Sequence, residues 1–213
     1  MTPPPAVEPL FLAPLRIELL ALRRGAPGAE VRRIGMGPAR ATAARASLES
    51  TVAKGRPLVL LGFGGALTAD LRPGDLVVAS TLGAVGSDDT FLLPDARAVA
   101  RLLELAAPGV RVRHAPVVCS SRVLRGDEAR VQAASHGAVA VEMESLWCAP
   151  LARRHPFVVV RAIVDVPGRE FVSAATPVAA WRAFCALASA ARALAHWTPA
   201  TVNDNPLMEV GDI

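Results

Sequence analysis

Short runs of β-branched residues and leucine alternate along this 213-residue chain with longer segments of alanine, leucine and arginine. That alternation restricts the fold more than any other feature, because strands joined by helical crossovers build a largely parallel sheet with helices packed on its faces. The pattern predicts strands near Leu10–Ala13, Glu30–Ile34, Pro57–Leu61, Asp75–Ser80, Val110–Cys119, Ala138–Val141 and Phe157–Ile163. Helices are expected at Leu15–Arg23, Pro38–Ala53, Pro94–Ala106, Asp127–Ser135, Ser145–Arg154 and Pro177–Ala195, several of them opening on proline or an acidic residue where a first turn accepts one. The expected fold is therefore α/β: one domain with a mixed, largely parallel sheet in a three-layer α/β/α arrangement. Residues 1–197 would form the domain, and the polar tail 198–213, which contains one proline at Pro199 and another at Pro206, would be mobile.

Composition adds limits rather than a function. At 52% hydrophobic but only 4% aromatic, with no tyrosine, the core has to be aliphatic. The net charge of +4 does not mark a nucleic-acid binder, since the arginines are scattered from Arg16 to Arg192 rather than gathered in a stripe. Cys119, Cys148 and Cys185 are an odd set without a C-x-x-C pair, so neither a disulfide framework nor a metal site is expected, and a reducing cytoplasm fits. The start of the chain has Pro3, Pro4 and Pro5 rather than a basic region leading into an apolar run, so a soluble protein is expected.

Three segments carry chemistry. Gly62-Phe63-Gly64-Gly65 follows an apolar strand, and glycines at a strand's carboxyl end let a ligand approach the backbone, though a plain tight turn would read the same way. Val141-Glu142-Met143-Glu144-Ser145 ends a strand with two carboxylates, which share a face if the strand persists; a carboxylate can grip two ribose hydroxyls, or simply start a helix. Val158-Val159-Val160-Arg161-Ala162-Ile163-Val164-Asp165 places a cation inside an apolar strand, where it must be paired, and closes on an aspartate that could equally be a cap.

Taken in order, the glycine segment with Gly74-Asp75-Leu76-Val77-Val78, then V-E-M-E-S, then V-V-V-R-A-I-V-D resemble the purine nucleoside phosphorylase and methylthioadenosine/S-adenosylhomocysteine nucleosidase superfamily, from about Leu10 to Ala195. Gly35-Met36-Gly37-Pro38 looks like the family's early G-x-G turn. The resemblance implies cleavage of an N-glycosidic bond. It makes Asp165 the proton donor to purine N7 and Glu18 the residue that positions the nucleophilic water. Glu144 would bind the ribose hydroxyls over Met143, with Glu142 in support, and Phe63, Gly64, Gly65, Val123 and Arg161 would complete the substrate site. Because a cation lowers the pKa of a carboxylate beside it, Arg161 is expected to support a loop or the ribose-binding glutamate rather than touch Asp165.

Departures refine the expectation. Phe63 stands where phosphorylases carry a phosphate-touching Ser or Thr, and the family's N-terminal G-D-P-x-R arm is missing, so water is favoured over phosphate, although Arg40 or Arg122 could reach a phosphate from another side. Val164 replaces the Ser usual beside the catalytic Asp. The Val164-Asp165-Val166-Pro167 segment is similar to the hopanoid-associated members, and Gly62-Phe63-Gly64-Gly65 resembles their G-F-x-G-G-L form, altered here at Ala66; the likeness implies adenosylhopane as substrate, adenine as product and a pocket with few polar groups. The alternatives are a methylthioadenosine/S-adenosylhomocysteine nucleosidase, a futalosine hydrolase, or a nucleoside-binding protein without turnover. No cofactor and no nucleic-acid partner is expected; a homo-oligomer is, and a lipidic substrate would allow peripheral membrane contact.

Overall fold

The computed structural model describes residues 7–124, 126–134, 137–167 and 176–199; most of the expected tail lies outside them. In chain order the elements are β1 (Leu10–Ala13), α1 (Arg16–Gly25), β2 (Val31–Arg33), α2 (Pro38–Thr51), β3 (Leu58–Ala66), β4 (Leu76–Ala84), β5 (Thr90–Leu92), α3 (Ala96–Ala106), β6 (Val112–Cys119), α4 (Asp127–Ala133), β7 (Ala140–Glu142), α5 (Ser145–Cys148), a 3₁₀ turn (Ala149–Arg153), β8 (Phe157–Asp165) and α6 (Thr176–Leu194). The chain is thus a mixed α/β fold with its sheet flanked by helices, as expected.

The sheet closes on itself in a way the sequence pattern does not reveal. β3 pairs in parallel with β1 and β8, and at its far end runs antiparallel to β7 through Gly65 and Ala66. β8 also pairs antiparallel with the start of β4, β4 runs parallel to β6, and β6 parallel to β7. The circuit β3–β8–β4–β6–β7–β3 is therefore a closed ring, with β1 and β2 added to β3 on the outside. Three nine-residue strands make this possible, because β3, β4 and β8 are long enough to serve different partners along their length.

Helix placement follows side-chain spacing. α3 buries Ala96, Val99, Ala100 and Leu103, an i, i+3, i+4, i+7 stripe. α2 opens on Pro38 at the first helical position, where the missing N–H costs nothing. α6 turns Ala183, Ala186, Leu187, Ala190, Ala191 and Leu194 inward, and these mostly small side chains let it pack closely on α1 and β8.

Several expected boundaries change. The helix expected over Ser145–Arg154 ends at Cys148 and gives way to a 3₁₀ turn. Pro150 accounts for this: it has no N–H to donate and its ring crowds the carbonyl four residues earlier. The short strand β5, which pairs antiparallel with β4, is an addition; its exposed Thr90 and Leu92 give it no buried signal in the sequence. Among the described residues no helix is long and apolar enough to cross a membrane.

Candidate active site

The carboxyl-terminal ends of β1, β3, β7 and β8 surround a cavity of about 600 Å³. Its walls are mostly apolar, with Leu15, Phe63, Val123 and Val164 among them, and Glu18, Glu142, Glu144 and Asp165 all reach it. These four acids come from three segments far apart in the sequence, Glu142 and Glu144 sharing one, and the strand ends bring them together.

Glu18 sits one turn into α1 and is 2% exposed. Its Oε2 accepts the Leu15 N–H at 2.5 Å and its Oε1 accepts the Phe63 N–H at 2.7 Å, so two backbone donors, one from the residue that precedes α1 and one from β3, fix the carboxylate. Burial pushes its carboxyl above the ordinary glutamate value, against the pull of those donors and of Arg161. The outcome is a buried, pinned group that holds a proton more readily than a surface glutamate does.

β7 ends at Glu142, so Glu142 and Glu144 do not share a strand face; Glu144 occupies the cap position of α5 instead. Glu142 is fully engaged: it accepts N–H bonds from Glu144 at 2.9 Å and Ser145 at 2.9 and 3.1 Å, the thiol of Cys119, and the guanidinium of Arg161. The carboxylate of Glu144 is freer, taking the Gly37 N–H at 3.0 Å and lying 3.5 Å from Arg161 Nη2. Burial, with a contribution from neighbouring Glu142, pushes the Glu144 carboxyl up to about 7 although Arg161 pulls the other way. The early G-x-G turn thus acts through the backbone of Gly37, while Met36 beside it lines the cavity.

Arg161, expected in the substrate site, is fully buried and is not among the residues that line the cavity. Its Nη2 meets Glu142, Ser145 Oγ at 2.8 Å and Glu144, which makes it the counter-ion of the glutamate pair. Burial pulls its guanidinium down, but Glu142, Glu144 and Glu18 together outweigh this and hold it above the ordinary arginine value.

The glycine segment is likewise not a loop. Gly62 to Gly65 belong to β3, and the neighbouring strand explains their size. A Cβ on Gly62 would lie 2.3 Å from Arg161 Nη1, and one on Gly65 would lie 2.8 Å from Asp165 Oδ1. The glycines make room for the two charged side chains of β8, and Gly64 and Gly65 also face the cavity. Register slips between Gly64 and Gly65, so that Gly65 opposes Asp165 and Val164 is left over, a bulge that aims the end of β8 at the site.

Asp165 has a partner that the sequence reading missed. Arg130, from α4, is 4% exposed, donates from Nη1 to the Ala66 carbonyl at 2.6 Å and pairs through Nη2 with Asp165 Oδ2. No local pattern marks Arg130, which sits in a segment rich in alanine and charge; only the buried carboxylate facing it does. Val123 and Arg122 line the cavity from the segment before α4, and Phe63 and Met143 complete the set of expected contacts. Arg40 is not among the lining residues.

The fold and the position of the cavity define an α/β protein with a largely apolar cavity at the carboxyl ends of its strands, where open α/β sheets bind ligands. The chain belongs to the phosphorylase superfamily, whose family model matches residues 25–192. A comparison with curated protein sequences finds no match. Among solved structures, futalosine hydrolase of Helicobacter pylori superposes with TM-score 0.74 at 16% identity, covering 88% of this chain and 97% of that one. The 5'-methylthioadenosine/S-adenosyl homocysteine nucleosidase of Helicobacter pylori gives TM-score 0.76 at 16% identity, covering 89% of this chain and 98% of the other. The corresponding nucleosidase of Colwellia psychrerythraea, in complex with adenine, gives 0.73 at 18%, covering 90% and 97%.

Proposed function

We propose that this protein cleaves the N-glycosidic bond of a 5′-substituted purine nucleoside with water. The sequence resemblance makes adenosine derivatives with an apolar 5′ group, adenosylhopane among them, the first substrates to test. The observation that carries the reading is the convergence of Glu18, Glu144 and Asp165 on one largely apolar cavity. In this scheme Glu144 grips the ribose hydroxyls, with Met143 beneath the sugar. As the C1′–N9 bond breaks, its electrons pass to the base and Asp165 gives a proton to N7, while positive charge develops on the ribose. Water then adds to C1′ and gives its proton to Glu18, which burial makes the stronger base. Glu18 also speaks against phosphate: its carboxylate already takes the backbone N–H groups of Leu15 and Phe63, and a second anion there would meet a like charge.

The test is release of free base from a panel of 5′-substituted adenosines and inosines, with and without phosphate. Base and free sugar in phosphate-free buffer are the expected products. Turnover that starts only when phosphate is added would replace water with phosphorolysis, and release from none of the panel would remove the enzymatic reading. The nucleosidase and futalosine hydrolase neighbours keep a second reading open, in which the 5′ group is polar; preferred turnover of S-adenosylhomocysteine over apolar analogues would favour it.

Glu144 gives this reading a pH signature. Its carboxyl is held at about 7, and the ionised form is the one that accepts from two hydroxyls. kcat/KM is therefore expected to rise as pH rises through about 7, and Glu144→Gln, which cannot ionise, should be slow and lack that rise. Stability runs the other way: the group is harder to ionise folded than unfolded, so its contribution is lost as pH rises from the ordinary carboxylate range through about 7. A flat profile in the wild type would separate Glu144 from substrate binding.

A further inference from the structure

The purine base has to meet Asp165, and Asp165 does not face the cavity alone. Arg130 is buried, also lines the cavity, and holds Asp165 by Oδ2, so that Oδ1 is the carboxylate oxygen left for a ligand. Among the described residues the Arg130 guanidinium donates once to the Ala66 carbonyl and once to Asp165, and its buried Nε has no partner, out of five N–H donors. The base end of the site thus sets an acceptor, Asp165 Oδ1, beside donors on Arg130.

We propose that Arg130 is a specificity-determining residue that makes the site favour nucleosides whose purine carries oxygen rather than an amino group at C6. This rests on the glycosidic-cleavage reading above and adds the identity of the base. Once N7 has taken the proton of Asp165, the edge of a 6-oxopurine reads N–H at N7 and an acceptor at O6, the complement of a carboxylate beside a guanidinium. Adenine in the same state offers donors at both N7 and N6, and its amino group meets a buried cation whose only groups are donors. Arginine donates to O6, together with N7, where it reads guanine; here N7 carries the proton and O6 alone is left to accept. Electrons and protons balance without a further reactant: the C1′–N9 pair of electrons goes to the base, the proton on N7 comes from Asp165, and Arg130 compensates the carboxylate left behind.

The experiment compares kcat/KM for matched 5′-substituted inosine and adenosine in the wild type, Arg130→Met and Arg130→Lys, with melting temperatures for all three. Calorimetric binding of hypoxanthine and of adenine to the same proteins provides a readout that needs no turnover. The wild type should favour the 6-oxo substrate by on the order of tenfold or more, the size of one good base contact. Arg130→Met should bring the ratio close to one, and Arg130→Lys should recover part of it. A wild-type preference for adenosine, or a ratio that stays the same while both substrates slow equally in Arg130→Met, would overturn the proposal. If Arg130→Met melts below the assay temperature, the Lys variant and the wild-type base affinities decide in the same way. A wild type that cleaves neither nucleoside yet binds hypoxanthine over adenine through Arg130 would overturn the cleavage reading alone; no base binding at all would overturn both.

Discussion

Asp165→Asn is expected to slow single-turnover base release by ~10²–10⁴-fold, the usual worth of a general acid, while the protein remains folded. The substitution suits the question because it changes little else. An asparagine oxygen still accepts from Arg130 Nη2, the space left by Gly65 still fits the side chain, and the bulge that aims the end of β8 is unaltered. What is lost is the carboxyl that hands a proton to N7 and, in its ionised form, the negative charge facing Arg130. Loss of that charge leaves a buried guanidinium without its counter-ion, so a lower melting temperature is expected alongside the slower chemistry. The two effects separate on measurement. If Asp165 served only as the structural half of this ion pair, the variant would melt earlier but turn over normally well below its melting temperature. Full activity at that lower temperature would remove the proton donor from the scheme.

The same side chain shows how far the sequence could be read. Its place at the end of an apolar strand, after a cation that had to be paired, was legible, and so were the ends of most strands and helices, because burial imposes a period on them. The acids of the site were legible through the order of their motifs. Arg130 was not: a buried ion pair between residues 35 apart leaves no local trace, and α4 is too short for its periodicity to show which side chain turns inward. The glycines were assigned to the right place for an incomplete reason. Their absent side chains make room for Arg161 and Asp165 on the neighbouring strand, and only the register of β3 on β8 reveals this. Ring closure was hidden for a similar reason, since a strand buried on both faces looks the same in an open sheet and in a closed one.

Arg161→Met should destabilise the protein by about 3–5 kcal/mol, the scale for breaking a buried ion pair from one side, out of a total that is typically about 5–15 kcal/mol. Methionine fills much of the same volume, so the loss is one of charge more than of packing. With the guanidinium gone, Glu142 and Glu144 remain buried at the cavity wall with no cation between them, and Glu18 lies in the same field. Glu142 keeps its backbone and thiol donors; Glu144 keeps only the Gly37 N–H and takes the larger share of the penalty. Urea unfolding measures the loss, and a cycle with Glu142→Gln isolates the pair, because the double variant should recover part of what the single one loses. The same change carries over to function: Arg161 is the group that pulls the Glu144 carboxyl down, so the rise of kcat/KM near pH 7 should move to higher pH in the variant. A stability within about 0.5 kcal/mol of the wild type, a difference ordinary surface substitutions also produce, together with an unmoved pH profile, would mean that the glutamates are held by their hydrogen bonds and that Arg161 does not set their charge.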